Sequence, residues 1–223
     1  MQRQTGLSPE TGLVYSIMLF GAWTLYLAVG YGRVRSIVGG DLLHEVIRVA
    51  IFVGPAALVV RQRLPEAVGR MGLRAGLGRG IAVGLAIGLA YGAVALVVGT
   101  MIEGRSLPDD IPWAGLPRAG FSVATLVEEF AFRGVLLQSF LQWGSARSAL
   151  VTSALFAAVH IPGWVLLGAM SVQAMAAAFG SIFLLGMILA IVMLRSRSLW
   201  TCVIVHAANN LVSALMAGGA GAS

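Results

Sequence analysis

The sequence predicts an all-α fold, a polytopic membrane helix bundle of about seven transmembrane helices, with six to eight as the range. Of its 223 residues, 58% are apolar and only 11% are charged, and the mean hydropathy is +0.89. Soluble domains carry roughly 25% charged residues. The apolar residues also form long uncharged runs, and a bilayer core needs about 20 such residues per helix. These observations exclude a disordered chain, a fibrous repeat and an ordinary soluble enzyme.

The first three predicted spans precede residue 103. Residues 12–30 are uncharged and form a longer apolar run than a cleavable signal peptide has. Residues 42–60 form a weaker span, because three polar residues at its start predict an interfacial turn with a local ion pair. Residues 81–102 form the third span, and glycines at every fourth position in and before it predict close packing against a neighbouring helix. The polar start of the second span consists of His44, Glu45 and Arg48, and the glycine stripe consists of Gly76, Gly80, Gly84, Gly88 and Gly92.

The remaining four predicted spans follow a polar loop that ends near residue 117. The fourth, residues 118–142, is unusual because it contains two glutamates and an arginine. Residues 148–194 contain no Asp, Glu, Lys or Arg and are too long for one crossing. A break at Pro162 and Gly163 divides them into a fifth span, 148–161, and a sixth, 170–194. Residues 199–216 form the seventh.

The charge pattern predicts orientation as well as location. All 15 basic residues are arginines, and the net charge is +6. With the N-terminus inside, the inner segments hold nine of these arginines and the outer segments four, as the positive-inside rule requires. Because the arginines flank apolar runs, we expect membrane lipid, and not nucleic acid, as their partner. The arginine-only, Ala- and Gly-rich composition points to a bacterial cell membrane, and the single Cys202 excludes an internal disulfide.

Four polar side chains fall at similar depths in the predicted bundle. Counting 1.5 Å of helix rise per residue from the end of each span places Glu128, His160, His206 and Asn210 in the middle third of the bilayer. Ionisable groups at this depth are costly unless they are paired or hydrated, and they often mark functional sites. We therefore expect their helices to bring them together around one buried polar pocket.

Spacing along each helix predicts which groups are paired. Glu129 and Arg133 are four residues apart with the acid first, the favoured order for an ion pair, so Glu128 is left free. Phe156 shares a helix face with His160, and His206 shares one with Asn210. A carboxylate beside an imidazole can take a proton from water, while a second imidazole and an amide stabilise an oxyanion. Alternatively, two histidines and a glutamate hold zinc with an open position for water.

These residues form three motifs that together resemble one family. Glu128-Glu129-x-x-x-Arg133 matches EExxxR, Phe156-x-x-x-His160 matches FxxxH, and His206-x-x-x-Asn210 matches HxxxN. In this order, on separate apolar helices, they resemble the CPBP family of CAAX-processing and bacteriocin-processing intramembrane proteases, also called the Abi family. The resemblance defines a motif-bearing core, residues 118–216, within a single integral membrane domain, residues 1–223.

The resemblance implies an intramembrane endopeptidase of the CAAX prenyl protease type. It implies that Glu128 activates water with His160 as its partner, and that His206 and Asn210 hold the oxyanion or a metal. Glu129, Arg133 and Phe156 then support the site. The resemblance also implies a membrane-embedded or lipidated protein or peptide as substrate, and one divalent metal, zinc, held by Glu128, His160 and His206 if a metal takes part.

Other readings of the same residues remain open at this point. Glu129 with Arg133 is also explained by a purely structural ion pair, and the fold is also compatible with a non-proteolytic scaffold or a bacteriocin-immunity type of protein. A proton-coupled transporter would use intramembrane Glu and His as well. The sequence shows no inverted repeat with paired broken helices, which disfavours the transporter.

Overall fold

The computed structural model of the chain describes residues 7–59, 77–102, 122–168 and 170–219, together with Gly69, Leu73 and Gly104. All regular secondary structure within these ranges is helical. Two of the predicted connections lie largely outside the described residues: the one between the second and third spans, and the polar loop that ends near residue 117. Gly76, the first residue of the glycine stripe, also lies outside them.

Seven long helices and one short helix make up the described part of the chain. Three of the long helices contain π-helical segments, at Tyr26–Gly30, Val98–Ile102 and Phe130–Leu136. The helices are α1 (Pro9–Arg35), α2 (Gly40–Val59), α3 (Leu77–Ile102), α4 (residues 123–143), α5 (Ser145–Ala158), α6 (Ile161–Leu166), α7 (Val172–Ser196) and α8 (Leu199–Gly219).

The predicted membrane bundle is confirmed. Six stretches of helix among the described residues are long and apolar enough to cross a membrane. The additional long helix, α4, is the predicted fourth span, and it is set apart by the charges of Glu128, Glu129 and Arg133. A helix break lies just before Pro162, because α5 ends at Ala158 and α6 begins at Ile161 with the proline in its first turn. The apolar span nevertheless runs on to Leu166, and α7 begins at Val172.

Helix α4 lies at the centre of the bundle. It packs against α1, α2, α5, α7 and α8. Its apolar side chains Phe132, Val135, Leu136 and Phe140 are completely buried. Helix α4 begins with Ser122, whose hydroxyl accepts a hydrogen bond from the backbone N–H of Thr125 and caps the first turn. A central position explains how a helix with three charges is tolerated, since its neighbours shield it from lipid.

The glycine stripe of α3 packs against α8, as the sequence predicts. A Cβ atom added at Gly80 would lie 2.2 Å from the Ser198 hydroxyl oxygen, and one added at Gly84 would lie 3.1 Å from Thr201 Cα. The Thr201 hydroxyl donates a hydrogen bond to the Gly80 carbonyl at 2.9 Å. The two backbones therefore approach closely, and α3 supports the helix that carries His206 and Asn210.

We predict that Gly84→Ala destabilises the protein. The new methyl group meets Ile204 Cβ at 3.0 Å and Thr201 Cα at 3.1 Å, so α3 and α8 must separate. Overpacking of this kind costs about 1–3 kcal/mol, which corresponds to a melting temperature several degrees lower in detergent.

Gly78→Ala is the matched control, because a Cβ atom at Gly78 of the same helix has no neighbour within 4 Å. We expect its melting temperature to equal or slightly exceed that of the wild type. Equal thermal stability of the two variants would contradict the close α3–α8 contact.

Candidate active site

The site is organised around the carboxylate of Glu129, which is completely buried. Its Oε1 atom accepts a hydrogen bond from Arg133 Nη1 at 3.1 Å. The same oxygen lies 2.8 Å from His206 Nδ1 on α8. The predicted Glu129–Arg133 pair is present, and the structure adds His206 as a third member.

This arrangement determines which nitrogen of His206 carries the proton. A carboxylate paired with a guanidinium is ionised and can only accept hydrogen bonds. The proton of a neutral His206 therefore lies on Nδ1 and is donated to Glu129. The other nitrogen, Nε2, keeps its lone pair and lies 4.0 Å from Oε2 of Glu128. Glu128 is partly exposed, with 17% of its side chain accessible.

Arg133 is held from three directions inside the bundle. Besides Glu129, its guanidinium donates to the carbonyl oxygen of Gly186 on α7 at 3.3 Å. Its Cζ atom lies 4.3 Å from the centre of the Phe156 ring on α5, the geometry of a cation–π contact. The Arg133 side chain is only 2% exposed, so its charge is balanced by protein groups and not by solvent.

Phe156 lies between the two histidines. Its ring packs edge-on against His160 and against His206, with 5.6 Å between centroids in each case. His160 Nδ1 lies 2.9 Å from the backbone carbonyl oxygen of Phe156, to which it donates, so Nε2 is its remaining nitrogen. His160 also stacks on Trp164 of α6. The aromatic ring thus links His160 to the group around Glu129.

Asn210 meets α4 one helical turn away from His206. Its amide nitrogen donates to the hydroxyl of Thr125 at 3.1 Å. Its carbonyl oxygen accepts from the side-chain amide of Asn209 at 3.3 Å. The two helices run antiparallel. One turn back along α4, from Glu129 to Thr125, therefore lies beside one turn forward along α8, from His206 to Asn210. Two contacts in register fix the position of both motif residues of α8.

The structure therefore brings most of the predicted residues into one connected group. Direct contacts join Glu129, Arg133, Phe156 and His206. Glu128 lies 4.0 Å from His206, and His160 joins the group through Phe156. The imidazole that lies next to Glu128 is that of His206, whereas His160 contacts Phe156 and Trp164. Motif spacing could not reveal this, because it does not determine how helices rotate against each other.

A comparison with protein-family models finds a match over the part of the chain that contains the site. Residues 113–212 match the family described as Rce1-like, type II CAAX prenyl endopeptidase. The family that these residues match is the CPBP family. The matched CPBP segment includes every residue of the site described above. No curated protein and no solved structure matches the chain significantly. Together with the apolar helices, the match to the CPBP family indicates an integral membrane protein.

The predicted zinc ligands do not form a three-ligand group. Within the described ranges, no three His, Cys, Asp or Glu side chains are close enough together to hold a metal ion. A catalytic zinc site requires three protein ligands that converge on one point. As these side chains stand, Glu128, His160 and His206 do not meet that requirement, and zinc remains a prediction from the CPBP motifs.

Two residues near the site were not predicted from the sequence. Thr125 and Asn209 hold the Asn210 amide, yet neither is a CPBP motif position. The only available signal was position, because Thr125 lies one turn before Glu129 and Asn209 adjoins Asn210. A further feature of the site is Glu129 Oε2, which is buried and has no hydrogen-bond partner among the described residues.

We predict that Arg133→Met strongly destabilises this protein. The substitution keeps an unbranched side chain of similar length but leaves the Glu129 carboxylate buried without its cation. Removing one partner of a buried ion pair costs about 3–5 kcal/mol, which lowers the melting temperature by about 10 °C.

Arg33→Met is the control, because the Arg33 guanidinium is exposed and donates only to the Val29 carbonyl oxygen among the described residues. Adding Glu129→Gln to Arg133→Met removes the unpaired charge, so we expect it to restore part of the lost stability. Equal melting temperatures for Arg133→Met and Arg33→Met would refute the buried ion pair.

Proposed function

We propose that this protein is an intramembrane endopeptidase of the CAAX type, in which Glu128 and His206 activate a water molecule for peptide hydrolysis. The observation that supports this function best is the 4.0 Å separation between Glu128 Oε2 and His206 Nε2. Direct hydrogen bonds are about 2.7–3.2 Å long, so these atoms are too far apart to bond to each other. A gap of this length suits one bridging water molecule.

Glu128 Oε2 and His206 Nε2, the two atoms on either side of this gap, both act as hydrogen-bond acceptors. Among the described residues Glu128 has no arginine partner, because Arg133 is engaged by Glu129. The proton of neutral His206 lies on Nδ1, so its Nε2 can accept a hydrogen bond. A water between them donates one hydrogen to each, which leaves the oxygen lone pairs free to attack a carbonyl carbon. Glu128 then serves as the general base and later returns the proton to the leaving amine, as the breaking C–N bond requires.

Glu129 is a positioning residue in this mechanism. Its carboxylate accepts the Nδ1 proton of His206 and so keeps Nε2 as the acceptor that faces Glu128. It also stabilises the imidazolium that forms when His206 carries a proton. Arg133 supplies the charge that balances Glu129, which explains why a motif of two glutamates and one arginine serves the chemistry better than a single acid.

Asn210 is the proposed donor to the oxyanion of the tetrahedral intermediate. One N–H of its amide is bonded to Thr125, and the second has no recorded partner among the described residues. A fixed amide donor of this kind typically contributes a rate factor of about 10²–10³. His160 is proposed as a further catalytic residue, with Nε2 as the nitrogen free for substrate because Nδ1 is tied to the backbone.

The family description supports the substrate class. A type II CAAX prenyl endopeptidase acts on a prenylated protein. The proposed site lies inside a helix bundle that spans the membrane, where a lipid-bearing C-terminus is already concentrated. We therefore propose a prenylated or otherwise lipidated protein C-terminus as the substrate of this chain.

We predict that Glu128→Gln lowers kcat for a prenylated CAAX peptide by at least about 10²-fold, because glutamine cannot take the proton of the attacking water. The amide keeps the size of the side chain, so the melting temperature should stay close to that of the wild type. Product formation by purified protein in detergent, measured by mass spectrometry, tests this.

Glu45→Gln is the matched control, since Glu45 is another partly buried glutamate but pairs with Arg48 on α2. It should cleave like the wild type, whereas unchanged turnover by Glu128→Gln would refute the proposed role. The same assay after dialysis against a chelator tests the zinc prediction. Loss of activity that zinc restores would show that the resting arrangement of the side chains is not the catalytic one.

A further inference from the structure

We propose that Tyr91 of α3 is a positioning residue for the reaction, acting on Asn210 through Asn209. This inference rests on the proposed role of Asn210 as the oxyanion donor. It concerns a helix that carries none of the three motifs, and Tyr91 lies outside the segment that matches the family, residues 113–212.

The evidence is a chain of hydrogen bonds across three helices. The Tyr91 hydroxyl donates to Asn209 Oδ1 at 2.8 Å. Asn209 Nδ2 donates to Asn210 Oδ1 at 3.3 Å, and Asn210 Nδ2 donates to Thr125 Oγ1 at 3.1 Å. The chain therefore runs from α3 through two consecutive residues of α8 to the first turn of α4.

Each link determines the direction of the next. A side-chain amide has a donor end and an acceptor end of almost the same shape, so its orientation depends on its partners. Because Tyr91 donates to Asn209, the carbonyl of Asn209 faces α3 and its amide nitrogen faces Asn210. The carbonyl of Asn210 is then occupied, and its amide nitrogen faces Thr125. The second N–H of Asn210 is held in a single direction.

The close packing of α3 on α8 explains why Tyr91 reaches this far. A Cβ atom added at Gly88 would lie 3.3 Å from Ala208 Cβ, and one added at Gly92 would lie 3.6 Å from Val212 Cγ2. Tyr91 comes directly before Gly92, at the level of α8 where Asn209 lies. The glycine stripe thus brings the phenol within hydrogen-bond distance of Asn209.

Without the Tyr91 hydroxyl, the Asn209 carbonyl loses the donor on α3 that holds it in this orientation among the described residues. When the side-chain amide of Asn209 rotates by about 180°, its carbonyl oxygen faces the Asn210 carbonyl oxygen. The Asn210 amide must then rotate as well, because the two oxygens repel each other. In a fraction of the molecules, the second N–H of Asn210 then points away from the position proposed for the oxyanion. The consequence is a slower chemical step with unchanged substrate binding.

The test is Tyr91→Phe in full-length protein, assayed with a prenylated CAAX peptide. Since one neutral hydrogen bond is lost, we expect kcat to fall about three- to tenfold with KM unchanged. Tyr15→Phe is the matched control, because the Tyr15 hydroxyl donates to the Phe52 carbonyl between α1 and α2. It should lower thermal stability but leave kcat unchanged.

Two variants of Asn209 separate positioning from packing. Asn209→Asp keeps an acceptor for Tyr91 but removes the N–H that donates to the Asn210 carbonyl oxygen. It should therefore lower kcat at least as much as Tyr91→Phe. In an Asn209→Ala background, Tyr91→Phe should have no further effect on kcat, because the link through which it acts is absent.

The outcomes distinguish this inference from the proposed function. Wild-type kcat in Tyr91→Phe, together with a large loss in Asn210→Ala, overturns the inference and leaves the oxyanion role intact. Wild-type kcat in Asn210→Ala overturns the oxyanion role and the inference with it. An undiminished effect of Tyr91→Phe in the Asn209→Ala background also overturns the inference, since Tyr91 then acts by another route.

Discussion

The shared hydrogen bonding of one buried carboxylate, that of Glu129, is the constraint on which the site depends. A completely buried ionised acid inside a bilayer must be balanced by protein groups, because no solvent reaches it. Arg133 supplies the charge and His206 the second donor, at 3.1 and 2.8 Å. These contacts hold α4 and α8 in one register. Within the described part of the chain they also leave Glu128 without a cation and His206 Nε2 as an acceptor, the two conditions that the proposed water activation requires.

The bundle is arranged to protect this centre and to keep it rigid. Helix α4 lies among five other helices, and the aromatic ring of Phe156 packs against Arg133 and both histidines. The glycine stripe of α3 supports α8 from the opposite side and brings Tyr91 to Asn209. Packing and chemistry are therefore linked: the same close approach that stabilises the α3–α8 pair also orients the amide proposed to bind the oxyanion.

Helix periodicity and motif spacing predicted the bundle, the break near Pro162, the packing role of the glycines and the Glu129–Arg133 pair. Each of these is a local property of one helix. The contact of His206 with Glu129 was not predictable, because it depends on the rotation and register of α8 against α4. For the same reason Tyr91, Thr125 and Asn209 were missed. Phenol, hydroxyl and amide groups on apolar helices have no charge pattern to distinguish them from ordinary packing residues.

The protonation of His206 tests the central claim most directly. The protein has three histidines, so ¹⁵N labelling of histidine gives a small set of ring signals that substitution can assign. The structure requires a proton on Nδ1 of neutral His206 and none on Nε2, and Glu129→Gln should weaken that preference. A proton on Nε2 in the resting protein, unaffected by Glu129→Gln, would contradict the arrangement from which the proposed mechanism is derived.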